Sequence, residues 1–195
     1  LGEASLAEQL EEAIQAGVTV VQLREKELDF DAFVSLGKEL QAVAKRHRIP
    51  FIINDAVDVA LALDADGVHV GQSDMQAGDV RSRIGEGKIL GVSAHSVEEA
   101  LAAERNGADY LGVGAIYGTA TKPDANTLSI ETLQQICQAV SIPVVGIGGI
   151  AEGNILNLNG SGIDGVAVVS AIFAKPDITA AVKQLRLLAE AMVQP

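Results

Sequence analysis

Seven short runs of Val, Ile, Leu and Gly recur along the chain, each ending in a cluster of polar residues. They are Thr19–Leu23, Phe51–Ile53, Gly67–Val70, Ile89–Val92, Tyr110–Val113, Val144–Ile147 and Gly165–Val169. Each reads as apolar on both faces and is bounded by Gly, Pro, Asp or Asn, which predicts strands covered from both sides. Between them, apolar residues return at helical spacing over Leu6–Ile14, Phe30–Arg46, Val57–Leu63, Val80–Ile84, Val97–Arg105, Ile130–Ala139 and Ile178–Met192. Ile155–Leu158 completes the alternation weakly. Gly153, Asn154, Asn157, Asn159 and Gly160 around it are poor helix formers, so a loose or 3₁₀ turn is the alternative there.

Strict alternation of strand and helix predicts parallel strands joined by right-handed crossovers. Eight helices to seven strands, with a helix first, fit an α/β fold of the (β/α)8 TIM-barrel type whose first strand lies upstream of Leu1. An open doubly wound sheet is the alternative. That fold usually opens on a glycine-rich turn, and no Gly-x-Gly-x-x-Gly precedes a helix here. The 195 residues suit a single domain over 1–195, with no linker or low-complexity tract to divide it.

Composition narrows the class of function. The chain is 48% hydrophobic and 21% charged, which argues against disorder, and with 3% aromatics its core must be aliphatic. Twenty-six acidic residues against 14 basic ones give a formal charge of −12, which speaks against nucleic acid and anionic membrane surfaces as partners. No apolar run approaches the roughly 20 residues of a membrane span, and no basic-then-apolar leader stands at the start. Cys137 is the single cysteine. It cannot form an internal disulfide, so a reducing, cytoplasmic setting is expected. It shares a helical stripe with Leu133, Ile136 and Val140, and a small core residue is a better reading than a nucleophile.

In parallel barrels the chemistry sits at the carboxyl ends of the strands. After the first run, Gln22, Arg24 and Lys26 alternate toward one side, an amide and two cations able to orient a ring and hold a diphosphate. Solvated surface cations are the plainer alternative. The next two ends bring Asn54-Asp55 and Gln72-Ser73-Asp74. Asp55 and Asp74 could ligate Mg²⁺ through hard oxygens or simply cap the helices that follow. Ser93 reads as a phosphate or ring hydrogen-bond donor and Ser96 as a helix cap. His69, between Val68 and Val70, reads as a structural histidine. Thr119, Thr121 and Lys122 make a small phosphate cradle, and Gly149 with Ser170 marks a second anion site. A metal and two anion sites imply joining or splitting phosphorylated partners.

The motifs Gln22-Leu23-Arg24-x-Lys26, Asn54-Asp55, Gly67-Val68-His69-Val70-Gly71-Gln72-x-Asp74, Gly91-x-Ser93-x-His95, Thr119-x-Thr121-Lys122, Ile147-Gly148-Gly149-Ile150 and Val168-x-Ser170-Ala171-Ile172 occur in this order. The ordered set resembles the thiamine-phosphate synthase family over nearly the whole chain. The resemblance implies that Gln22, Leu23, Arg24, Glu25, Lys26, Asn54, Ser93 and Lys122 bind an aminopyrimidine diphosphate. Arg24, Lys26, Ser93 and Lys122 would be the catalytic groups among them. It further implies that Asp55 and Asp74 hold Mg²⁺, and that Thr119, Ala120, Thr121, Gly149, Val169 and Ser170 bind a thiazole phosphate. Gly118 departs from the family, which commonly has Pro there. The implied partners are two small phosphorylated substrates, with monomer and homodimer both open. A thiazole tautomerase of the same fold would not need Asp55, Asp74 and the Arg24–Lys26 pair together. A sugar-phosphate epimerase would need facing carboxylates or metal-binding histidines, and the chain has 3 His. A non-catalytic barrel that binds thiamine precursors is separated from these by turnover.

Overall fold

The computed structural model describes residues 4–72, 76–118 and 127–194. Seven parallel strands, β1 (Val21–Leu23), β2 (Phe51–Asn54), β3 (Gly67–Val70), β4 (Ile89–Ala94), β5 (Tyr110–Val113), β6 (Val144–Ile147) and β7 (Gly165–Ala167), form one sheet in sequence order. The connecting helices are α1 (Leu6–Ala16), α2 (Phe30–Arg46), α3 (Val57–Leu63), α4 (Ala77–Ile84), α5 (Val97–Arg105), α6 (Ile130–Ala139), α7 (Ser170–Phe173) and α8 (Ile178–Met192). Consecutive order with helical crossovers puts the helices on one side, so the sheet curls into a barrel. It is an open barrel. Among the described residues β1 and β7 are each paired on one side, and the strand expected upstream of Leu1 lies outside them. The helical layer continues across the gap, where Glu12 of α1 accepts hydrogen bonds from the backbone and hydroxyl of Thr179 at 3.0 and 2.8 Å.

Local sequence explains most element boundaries. Ser5, Asp29, Ser96, Ser129 and Asp177 each accept a backbone N–H in the first turn of the helix they precede, so the expected cap at Ser96 is present. Residues Ile155–Leu158 form a 3₁₀ turn, as their composition allowed. β1 is shorter than Thr19–Leu23: Val21 N–H donates to the Pro50 carbonyl, and Pro50 has no N–H to carry the ladder further. β7 ends at Ala167, and Ser170 begins the short α7 rather than closing a strand. At the amino-terminal rim, Asp66, Asp109 and Asp164 stand immediately before β3, β5 and β7. Each carboxylate accepts an N–H from the first or second residue of the preceding strand, from Phe51, Leu90 and Val144, at 2.7–2.8 Å.

The two faces of the sheet differ, which corrects the expectation of strands apolar on both. Outward positions such as Phe51, Ile53, Val68, Val70, Leu90 and Leu111 are buried against the helices. Register pairs Asn54 with His69, His69 with Gly91 and Gly91 with Tyr110, so these residues share the inner face. Gln22, Ser93, Gly112 and Val145 fall on the same face by the two-residue alternation. The inner face therefore mixes polar residues and glycine with apolar residues such as Ile52, Ile89 and Val145. Among the described residues no helix is long and apolar enough to cross a membrane.

Candidate functional site

Parallel register brings the carboxyl ends of the strands to one rim, and the residues after β1 and β2 meet there. Gln22 within β1 and Arg24 just beyond it are exposed. Glu25 is occupied in shaping its own loop. One carboxylate oxygen accepts the backbone N–H groups of Lys26, Glu27 and Leu28 at 2.6, 2.6 and 3.3 Å, and these bonds hold its carboxyl below the ordinary glutamate range. That turn directs Lys26 across to β2, where its ammonium pairs with the Asp55 carboxylate.

Asp55 follows β2 directly and adopts a left-handed backbone with φ of 62°, a conformation Asp tolerates better than most residues. Its N–H donates to the His69 carbonyl at 2.8 Å. Helix α3 starts instead from Ala56, with no side-chain cap, so Asp55 does not serve the capping role that the sequence left open. Its carboxylate, about a quarter exposed, faces the rim with a cation upon it. A groove of about 500 Å³ opens beside the pair, with Glu25, Lys26, Phe30 and Asp55 in its wall. The groove runs outward along α2 and α3, past Phe33, Val57 and Asp58, and Gln22, Asn54 and Ser93 are not among its lining residues. Asp74 lies outside the described residues. Among those described, no three His, Cys, Asp or Glu gather as metal ligands.

A polar cluster lies deeper in the barrel. His69, 7% exposed, has Nδ1 2.9 Å from the Tyr110 hydroxyl and Nε2 3.0 Å from the Ser93 hydroxyl. Burial pushes the Tyr110 phenol up to about 12, against a smaller lowering from the nearby Gln22 side chain. Gln72 donates its amide to the Ser93 carbonyl at 2.6 Å, fixing the end of β4. Two glycines make room for the rings. A Cβ at Gly112 would lie 2.8 Å from His69 Cε1, and one at Gly91 would strike both His69 and Tyr110. Sequence reasoning set His69 aside and passed over Tyr110. The available signal was glycine at alternate positions of neighbouring strands, which vacates space for a large side chain.

On the opposite side of the mouth, Gly149 takes a positive φ of 64° where the chain passes close to Tyr117, so a side chain there would collide with it. Asn154 braces this turn, donating to the Gly149 carbonyl at 2.9 Å and accepting from Ala151 N–H at 2.8 Å. Val169 and Ser170 are exposed at the end of β7. Thr119, Ala120, Thr121 and Lys122 lie outside the described residues. Leu23 faces outward into the core, so within the expected substrate stretch only its backbone adjoins the mouth. The structure thus brings Gln22, Lys26, Asn54, Asp55 and Ser93 to one side of the barrel mouth and Gly149, Val169 and Ser170 to the other.

The family model for thiamine monophosphate synthase matches residues 1–172. The chain belongs to this family. It is 54% identical over 182 residues to the thiamine-phosphate synthase of Clostridium beijerinckii, spanning 93% of this chain and 87% of that one. It is 53% identical over 176 residues to that of Clostridium tetani, spanning 90% and 84%. Among solved structures, thiamine phosphate pyrophosphorylase from Pyrococcus furiosus superposes with a TM-score of 0.89 at 38% identity, covering 97% of this chain and 92% of that one.

Proposed function

We infer that this chain carries out the thiamine-phosphate synthase reaction, joining an aminopyrimidine with a diphosphooxymethyl arm to a thiazole with a phosphoethyl arm and releasing diphosphate. Family membership over residues 1–172 carries this reading. The geometry supports a division of labour within it. Arg24 and Lys26 at the exposed end of β1, together with Lys122, hold the diphosphate oxygens and take up charge as the leaving group departs. Gln22 and Asn54 on the inner face orient the pyrimidine ring, and Ser93 donates a hydrogen bond beside it.

The residues fit a magnesium ion. Asp55 is not engaged as a cap, is partly exposed and already carries a cationic partner, so its position favours positive charge. Asp55 and Asp74 would hold the ion, which when bound would neutralise diphosphate charge. Gly149, Val169, Ser170 and the Thr119–Ala120–Thr121 stretch hold the thiazole phosphate, so that its ring nitrogen attacks the pyrimidine methylene cation left once the diphosphate has departed. No protein nucleophile is needed. Cys137 fits none of these roles: it lies on α6, and burial with the nearby Asp164 pushes its thiol up to about 11. The test is mass-spectrometric detection of thiamine phosphate from the two phosphorylated halves, with and without Mg²⁺. Absence of product from folded protein with Mg²⁺ would overturn the reading.

A further inference from the structure

We propose that Asn154 is a positioning residue for the thiazole phosphate: its amide clamps the turn after β6 so that the Gly149 and Ile150 N–H groups stay free to bind the phosphate together. The proposal rests on the function above, in which Gly149 meets the thiazole phosphate.

Asn154 does not do what its position suggests. An asparagine immediately before a helical turn ordinarily caps it, accepting an N–H from the first turn. Asn154 precedes the 3₁₀ turn Ile155–Leu158 and makes no such bond. Its amide instead reaches backward along the chain. Oδ1 accepts the Ala151 N–H at 2.8 Å, and Nδ2 donates to the Gly149 carbonyl at 2.9 Å. The backbone of Asn154 is itself held in place. Ile155 and Leu158 are fully buried, and the Tyr117 hydroxyl donates to the Asn154 carbonyl at 3.2 Å. Tyr117 N–H donates in turn to the Gly148 carbonyl at 3.0 Å, so the turn after β6, Asn154 and the loop after β5 form one closed circuit.

Peptide geometry then decides which N–H groups are available. The C=O and N–H of a trans peptide point in opposite directions. Fixing the Gly149 carbonyl on Asn154 therefore turns the Ile150 N–H, which belongs to the same peptide unit, away from Asn154. The Ala151 N–H is consumed by Oδ1. Among the described residues nothing accepts the N–H of Gly149 or of Ile150. Consecutive free N–H groups in a turn that includes a left-handed residue form a concavity suited to an anion, and Gly149 takes that conformation with φ of 64°. Without the clamp, the Gly149 peptide can rotate and the pair no longer faces one phosphate.

Asn154→Leu keeps the size of the side chain and removes both amide bonds. The dissociation constant for the thiazole phosphate should rise about tenfold, the scale of one hydrogen bond to a charged group. For the thiazole alcohol, which lacks the phosphate, it should change by less than about twofold. Affinity for the pyrimidine diphosphate should hold. In turnover the loss should fall on KM for the thiazole phosphate, with kcat kept within about twofold. Equal losses for the phosphate and the alcohol would show that Asn154 only supports the fold, and would overturn the proposal. Should the variant fail to fold, amide spectra of the wild type decide the matter. Titration with thiazole phosphate should move the Gly149 and Ile150 amide protons downfield and leave that of Ala151 in place. Unmoved Gly149 and Ile150 signals would overturn the clamp. Such shifts in a protein that makes no thiamine phosphate would sink the function and keep the clamp, while turnover with unmoved amides would do the reverse.

Discussion

The Lys26 ammonium rests on the Asp55 carboxylate, linking the loop after β1 to the end of β2 at the barrel mouth. If Mg²⁺ binds at Asp55 as proposed, lysine and the ion would compete for one carboxylate, and a bound diphosphate would relieve the competition by offering Lys26 other oxygens. In the empty protein, Lys26→Met should therefore strengthen Mg²⁺ binding while weakening diphosphate binding. The pair is half exposed, so the gain should be modest, up to about fivefold. Calorimetry with Mg²⁺, or Mn²⁺ as a paramagnetic probe, measures it directly. Weaker metal binding in Lys26→Met would show that Lys26 assists the site. Asp55→Asn, which preserves the left-handed backbone, should abolish the binding.

At the other rim the three strand-pinning aspartates predict loss of stability without loss of activity. In Asp164→Ala the Val144 N–H loses its carboxylate partner, as does Leu90 N–H in Asp109→Ala. Each should cost about 1–3 kcal/mol, the scale for stranding a buried backbone donor. The amino-terminal face of such barrels serves stability, so kcat and KM should hold at temperatures where the variants remain folded. Denaturant titration and steady-state assays test both halves, and a fall in kcat with unchanged stability would contradict the assignment.

Periodicity made the architecture legible because parallel strands and their crossover helices alternate from α1 to β6, with a 3₁₀ turn standing for the next crossover. Helices such as Phe30–Arg46 and Val97–Arg105 match their expected bounds, and their caps Asp29 and Ser96 mark their starts. The ends of β1 and β7 were not legible, since a strand paired on one side stops where pairing stops rather than where hydrophobicity does. Among site residues, Asp55 could be read as cap or ligand. Only the backbone turn at Asp55 and the start of α3 at Ala56 decide against the cap. His69 and Tyr110 could not be joined from sequence, because their contact depends on the stagger that sets β3 beside β4 and β4 beside β5. That stagger is a property of the curled sheet, not of any one segment.

Cys137 provides a pH-dependent test. Burial, with a smaller contribution from Asp164, pushes its thiol up to about 11, against about 8.5 for an unfolded cysteine. The folded state thus holds the proton more tightly. This contribution to stability is complete below about pH 8.5 and declines as pH rises toward 11. At pH 8.5 the native thiolate fraction is roughly a hundredfold below that of the denatured chain. Modification by a disulfide reagent should be slower in native protein by at least that factor. Equal rates in native and denaturing buffer would show that the thiol is exposed and reactive.

Gly91→Ala tests how tightly the interior around His69 and Tyr110 is determined. A methyl group at this position would enter the space of Tyr110 Cζ and Cε1 and of His69 Nδ1. Neither ring can yield alone, because Tyr110 and His69 are joined by their hydrogen bond and His69 is further tied to Ser93. Overpacking costs about 1–3 kcal/mol, and loss of the His69–Tyr110 bond adds about 1 kcal/mol more. For a domain of this size the melting temperature should fall by roughly 5–15 °C. Tyr110→Phe should not rescue the variant, since the collision is with ring carbons that Phe retains. Tyr110→Val in the Gly91→Ala background should recover part of the loss, because it removes the ring that the methyl group meets. The double-mutant cycle would then show a favourable coupling between positions 91 and 110. Additive losses would mean that the methyl group finds room elsewhere and that these rings are not fixed by the glycine beneath them.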